Sequence, residues 1–430
     1  MPEIGSSFQM ENKVLKILLL LYALAVLTTM AGMEIFGWLS FLVVIGFAIY
    51  NRKSPWFNSP ILELGDKCLL ALLVIITLSA LIAAPASSDK VFIIGNARFV
   101  LLFIGLRLGI EALSVEQIAK GMRILGSAVI VISLYAISQH FTGRDLIRGA
   151  SDPITQVWTG GGAEYRSRGM WGHPVTFGHS MALSFTMCLG ALAVYYRERK
   201  HLFIFGAATL LAGMSLVYSY TRGAWIAVAA AVFVMSLYLG RKVAIVSVVS
   251  GVLLVGVATG LSAKVRDRLV SIVSTTNQSN SERIDVWKAN IAMFKENPIL
   301  GVGYGVNEEI IGKYYEKLGI KQEFGGHAHN NYLQFLSGTG LLGFLAFTAF
   351  SVIFLYMTHK LLRTLPPEAS WARAIALGAL GAQIAMHVGG LTECNFKDAE
   401  VNHQYMLILA LLTVVWRKNT GPSVNSNDSN

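Results

Sequence analysis

Apolar residues along most of this chain do not alternate with polar ones but recur in long blocks. These lie near residues 14–32, 35–50, 68–84, 91–110, 124–141, 174–196, 202–219, 224–240, 242–263, 331–358, 372–392 and 402–416. A helix needs about 20 apolar residues to cross the hydrocarbon core, so the pattern predicts an all-α polytopic membrane protein with about twelve transmembrane helices. The first block follows Lys13 and Lys16 as a secretory leader would. It is too long for one and has no small-residue cleavage site, so it is expected to be retained.

Two polar gaps are much longer than the rest, about 143–173 and 264–330, and both carry tryptophans and many glycines. Gaps of that length are functional more often than they are tethers. In the second, Ser279-x-x-Glu282 reads as a capping box that opens a helix. Ile284, Trp287, Ile291 and Phe294 then recur on one face until Pro298. An amphipathic helix lying on the membrane surface or over a cavity is expected there.

Composition agrees with the pattern: 54% of the 430 residues are hydrophobic and 14% charged, with a mean hydropathy of +0.55. No polar stretch is long enough for a separate soluble domain, so residues 1–418 read as one integral membrane domain. The polar tail, 419–430, reads as disordered and cytoplasmic. The excess of 35 Lys and Arg over 25 Asp and Glu falls mainly in alternate short connections, which makes it a topology signal and not a nucleic-acid footprint. Lys13 and Lys16, Arg52 and Lys53, Lys120 and Arg123, Arg197 to Lys200, Arg241 and Lys242, Lys360 to Arg373, and Arg417 with Lys418 all fall on one side. Both termini are thereby expected in the cytoplasm, and the two long gaps on the opposite face. Cys68, Cys188 and Cys394 show no metal or disulfide spacing.

Candidate chemistry gathers on that opposite face. In Gly325-Gly326-His327-Ala328-His329-Asn330-Asn331-Tyr332-Leu333-Gln334, two histidines precede a span and Asn330 is positioned as its N-cap. The positive end of a helix disfavours imidazolium and keeps a histidine available as a base. A His-x-His pair can also bind metal, but the loop offers no obvious third ligand, so no metal or other cofactor is expected. Arg222, in Tyr218-Ser219-Tyr220-Thr221-Arg222-Gly223-Ala224-Trp225, sits at the mouth of two spans on the face where positive charge is disfavoured. Arg283 stands in the first turn of a helix, where a cation opposes the dipole. A looser group comprises Arg166, Arg168, His173 and His179. Arg98 and His387 read as buried structural groups, with Glu393 and Glu400 as candidate partners. Several arginines with a neutral histidine and no DxD-type acidic cluster suit an anionic phosphate handled without metal. If the phosphate leaves, arginines stabilise the charge and histidine takes the proton of an attacking hydroxyl.

The order of these motifs resembles the O-antigen ligase and polymerase superfamily of bacterial envelopes. It runs from Arg168-Gly169 before a span through Thr221-Arg222-Gly223-Ala224-Trp225 to Ser281-Glu282-Arg283 followed by Trp287. Asn297-Pro298-x-x-Gly301-Val302-Gly303-Tyr304-Gly305, the His-x-His-Asn-Asn segment and Gly338-Thr339-Gly340-Leu341-Leu342-Gly343 follow. Thr221 stands where that pattern leads one to expect serine. The resemblance implies a GT-C-like bundle in the bacterial inner membrane with a large periplasmic loop between its ninth and tenth helices. It implies an inverting, metal-independent glycosyl transfer on the periplasmic side, from an undecaprenyl-pyrophosphate-linked glycan. It further implies His329 as the base, with His327 its rival, and Arg222 and Arg283 on the pyrophosphate. Arg168, His327 and Asn330 become further contacts for pyrophosphate or glycan. Lipid A-core oligosaccharide is the expected acceptor, as in an O-antigen ligase, with polymerase and protein O-oligosaccharyltransferase as branches of the same superfamily. A transporter or flippase for the same lipids is the alternative from another class; charged residues at the outer ends of spans, not at mid-depth, separate the enzyme from it.

Overall fold

The computed structural model describes residues 3–50, 64–149, 154, 156–159, 162–273, 278–321 and 326–420. Its helices are α1 Glu3–Ala25, α2 Met30–Tyr50, α3 Leu64–Leu78 with a π-turn at Ser79–Ala83, α4 Lys90–Gly95, α5 Phe99–Glu111 and α6 Val115–Thr142. They continue with α7 Pro174–Tyr195, α8 Arg199–Tyr218, α9 Arg222–Leu239, α10 Arg241–Leu261, α11 Ala263–Val273, α12 Gln278–Glu296 and α13 Val306–Leu318. The last three are α14 Asn331–Thr364, α15 Ser370–Gly389 and α16 Ala399–Thr420. A two-stranded antiparallel ribbon, β1 Gln156–Thr159 and β2 Gly162–Tyr165, lies within the first long gap.

Every apolar block falls mainly on helix, the first running from α1 across a turn at 26–29 into α2 and the fourth being shared by α4 and α5. Among the described residues, eight helical stretches are long and apolar enough to cross a membrane: α3 with its π-turn, α4 with α5, α6, α7, α8, α9, α10 and α14. The protein is thus an all-α polytopic membrane protein. α15 and α16 fall short of that apolarity for a structural reason: they are buried in protein, not lipid. α15 is largely Ala, Gly and Leu and packs against α7 and α9, where a Cβ on Gly190 would collide with the Gly378 backbone. Small residues at such a crossing let helices approach without a hydrophobic driving force. α16 hides Asn402, His403 and Gln404 inside, and Ser180 of α7 donates to Gln404 at 2.8 Å. α16 also extends through Thr420, so Asn419 and Thr420, assigned above to the tail, are helical; residues 421–430 lie outside the described part.

The second long gap contains three helices, and its geometry corrects the sequence reading of α12. That helix begins at Gln278, so Ser279 lies within its first turn; the Ser279 side chain is outside the described residues. The buried face is Val286, Ala289, Asn290 and Met293, packed on α14, whereas Ile284 and Ile291 are exposed. Both faces of α12 carry apolar residues, which is why periodicity alone selected the outer one.

The glycine motifs on either side of this packing are a backbone clamp. Val302 N donates to Ser337 O at 3.0 Å, Gly303 N to Gly338 O at 2.8 Å and Leu341 N to Pro298 O at 2.8 Å. To expose those carbonyls α14 breaks at Gly340, with φ 65 and ψ −164, a region essentially reserved for glycine. A Cβ there would collide with Ile299 O, and one on Gly301 (φ 64) with Ser337 O. Ser79 in the π-turn adds donation to Leu300 O at 2.7 Å and Gly338 O at 2.9 Å. The clamp sets the long outer segment against the start of α14. Gly340→Ala is therefore expected to lose at least about 2 kcal/mol. Gly251→Ala, mid-helix in open space, should gain some tenths. Melting of both variants in detergent checks this, and equal shifts would refute the clamp.

Candidate active site

Four separate elements deliver arginines to one cavity of about 120 Å³, lined by Arg166, Arg222, Arg268, Arg283, His179, Thr392 and Glu393 among others. Arg222 is the first residue of α9, so the positive end of that helix dipole adds to its charge. Its Nη1 donates to Ser271 O at 2.7 Å and Ser271 Oγ at 3.0 Å, which aims the guanidinium. Arg268 of α11 donates through Nε to Tyr220 O at 3.1 Å, and Arg166 to Ser219 O at 2.9 Å. Tyr220 takes φ 52, an uncommon conformation for a bulky residue. It turns the carbonyl toward Arg268 immediately before Thr221-Arg222.

Charge here is unbalanced. Among the described residues that line the cavity, four guanidinium groups face one carboxylate, Glu393, whose Oε2 is 3.7 Å from Arg283 Nη2. Burial and the neighbouring Arg268 and Arg222 charges lower the Arg166 pKa to about 10. Burial and Arg283 act in the same direction on Arg268. Two buried nitrogens, Arg283 Nε and His179 Nε2, have no hydrogen-bond partner among the described residues. Buried donors normally have partners, and an anion entering this cavity would supply them while relieving the repulsion.

The histidine loop adjoins the cavity through Glu393. His329 Nδ1 lies 3.0 Å and His327 Nε2 3.4 Å from Glu393 Oε1. Their other nitrogens differ. His327 Nδ1 accepts from the His329 backbone N–H at 3.2 Å, so both its nitrogens are engaged. With Nδ1 of His329 donating to the carboxylate, Nε2 of His329 carries the lone pair. Only His329 of the pair is thereby arranged as a base. Its backbone sits at φ 46, a strained position of the kind found at functional sites. Burial lowers the His327 pKa against the pull of Glu393. Burial likewise lowers that of His173, which caps α7 by accepting from Val175 N at 3.2 Å.

Glu393 itself is nearly buried. Burial alone would raise its pKa, but the His329 hydrogen bond and the charges of His329, His327 and His179 outweigh that and hold it at about 2. The stability this contributes is present above its ordinary value of 4.5 and disappears as pH falls through about 2. The melting-temperature gap between wild type and Glu393→Gln should be constant above pH 5 and close on acidification; a gap that widens with acid would contradict the assignment.

Asn330 and Asn331 join the histidine loop to the connection bearing Glu393. Asn330 caps α14 by accepting from Leu333 N at 3.0 Å, as expected, and donates to Leu391 O at 3.0 Å. Those bonds make it a positioning residue between the loop and the connection bearing Glu393, and each end of the amide keeps a further hydrogen-bonding position. Asn331 Nδ2 donates to Asn395 Oδ1 at 2.6 Å, and Phe396 N to Asn331 Oδ1 at 3.1 Å. Beneath the loop, Gln334 accepts from Ala328 N at 2.9 Å and donates to Asn307 and Glu308, each at 3.0 Å. Trp287 Nε1 donates to Ala328 O at 3.0 Å.

Several sequence readings need correction. Arg168 is turned away from the arginine cavity. It is buried against Asp145, with Nη2 at 2.8 Å and Nε at 3.0 Å from Oδ2. The same carboxylate is fixed by Ile147 N, Arg148 N and Tyr135 OH. Arg166 and Arg268 take the place expected for it. Arg98 pairs with Glu34 at 2.6 Å, not with Glu393 or Glu400, and His387 meets Tyr332 OH at 3.3 Å. Glu393 supplies the third ligand that the histidine loop lacked: His327, His329 and Glu393 hold donor atoms within 4.8 Å of one another. That set is able to hold a divalent ion, although the adjacent arginines set a positive potential against one.

No curated protein matches the chain. Residues 207–348 match the family model described as O-antigen ligase, a stretch that contains Arg222, Arg268, Arg283, His327 and His329 and leaves Arg166 and Glu393 outside. Over those residues the chain is similar to the O-antigen ligase family.

Proposed function

We propose that the protein is an O-antigen ligase, an inverting glycosyltransferase that needs no metal and transfers a glycan from undecaprenyl pyrophosphate to lipid A-core oligosaccharide. The family match supports glycosyltransferase activity of the ligase and polymerase type. The observation that carries the finer reading is the cavity with four arginines beside a histidine whose Nε2 is free to accept a proton. In the proposed step His329 Nε2 takes the proton of the acceptor hydroxyl, and the hydroxyl oxygen bonds to the anomeric carbon from the face opposite the pyrophosphate. The carbon–oxygen bond to pyrophosphate then breaks, and its electron pair leaves with undecaprenyl pyrophosphate. Arg222 and Arg283, with Arg166 and Arg268, neutralise the charge that grows there, and Glu393 stabilises the imidazolium.

All these groups lie at helix ends or in connections, not midway along a span, which supports an enzyme over a flippase. The reading carries a location, the bacterial inner membrane with both termini cytoplasmic and the cavity facing the periplasm. The deciding experiment gives purified protein in lipid a defined lipid-linked glycan with separate acceptors: lipid A-core oligosaccharide, a second lipid-linked glycan, and a serine peptide. Transfer to lipid A-core, surviving EDTA, is the expected result. Elongated lipid-linked glycan would identify a polymerase and a glycopeptide the protein-modifying branch. Turnover abolished by EDTA and restored by a divalent ion would make His327, His329 and Glu393 a metal site and remove the base mechanism.

A further inference from the structure

Two adjoining cavities of about 290 and 70 Å³ lie between α1, α6 and α16, away from the arginine site. Ala23, Met122, Leu125, Leu407 and Leu411 line both, so they form one apolar groove. Lys16 and Lys120 stand on its rim, on the side of the protein that carries the basic connections. Neither lysine has an ion-pair partner among the described residues. The nearby Glu111 is held by Arg107 at 3.5 Å and Arg417 at 3.1 Å, and Glu116 is not part of the lining. α6 separates this groove from the catalytic candidates. Its Gln139 accepts from Arg168 N and Gly169 N, roughly 28 Å along the helix from Lys120 at 1.5 Å per residue.

An apolar trough that ends in two uncompensated cations matches one class of ligand, an acyl chain with an anionic headgroup. We propose that an anionic phospholipid of the surrounding bilayer occupies this groove, its chain along Leu19, Ala23, Leu125 and Leu411 and its phosphate between Lys16 and Lys120. A zwitterionic lipid carries its own cation beside the phosphate and competes with the lysines, so the site discriminates by headgroup charge. Lysine stems lie along apolar surface while their ammonium groups reach the interface, and half-buried Lys16 lines the groove in keeping with that.

The test uses the full chain, stripped of lipid in detergent and offered phosphatidylglycerol and phosphatidylcholine of identical acyl chains, with retained lipid counted by native mass spectrometry. Phosphatidylglycerol should be retained about tenfold better. The double variant K16Q/K120Q should erase that preference while keeping chain binding. Gly121 lines the groove and faces open space, so Gly121→Leu should plug it and lower retention of both lipids, in a helix that leucine suits better than glycine. Equal retention of the two lipids by wild type, or undiminished phosphatidylglycerol retention in both variants, would mean annular lipid only and overturn the proposal.

Discussion

His329→Ala is expected to lower glycan transfer by about 10² to 10⁴-fold, the usual cost of a lost general base, with binding of the lipid-linked donor nearly unchanged. The geometry makes this sharper than a general statement about a histidine pair. His327 spends one nitrogen on the His329 backbone and turns the other toward Glu393, whereas His329 spends only Nδ1. His327→Ala should thus be milder, through loss of support to the strained backbone at His329. Glycan transfer and donor binding are measured separately at matched folded yield, because a histidine that merely holds the loop would lower folded protein and both readouts together. Normal turnover in both variants would end the histidine-base mechanism. A large loss in His327→Ala with a small one in His329→Ala would reverse the assignment while leaving the mechanism standing.

The helices were legible because each apolar block had to satisfy its own backbone, and a helix is the local way to do so in lipid. Legibility failed where partners are distant in sequence. Glu393 lies 64 residues beyond His329 in a short connection, and the bonds of Asn330 to Leu391 and of Asn331 to Gly390, Asn395 and Phe396 bring it under the histidines. Arg166 and Arg168 look equivalent in the chain, yet Asp145, already fixed by two backbone N–H groups and Tyr135, takes Arg168 and leaves Arg166 for the cavity. α13 carried readable signals, with glycines in left-handed conformation at both caps, Glu308 and Glu309 in its first turn and Lys317 in its last. Its polar length between two spans nevertheless reads as loop, because it lacks a long apolar block. The use of the paired glycine motifs as a backbone clamp depends on contacts that no spacing rule encodes.

Arg222→Lys should lose most of the activity, at least about tenfold, although the charge is kept. Arg222 holds Ser271 O and Oγ with Nη1 while its planar fork lines the cavity. A lysine is a point charge on a flexible stem and cannot do both. The loss should appear in turnover more than in donor affinity, because leaving-group charge is greatest in the transition state. Since Arg222 also ties α9 to α11, a structural effect has to be separated from a catalytic one, and Arg283→Lys does so. Its Nε is buried without a partner among the described residues, and its nearest carboxylate is 3.7 Å away, so little of the fold rests on the fork geometry. If both lysine variants fold and both lose turnover, the arginines act on a phosphate in the cavity. If Arg222→Lys loses activity only in proportion to folded protein while Arg283→Lys transfers normally, Arg222 is a strut between two helices and the pyrophosphate must be held elsewhere.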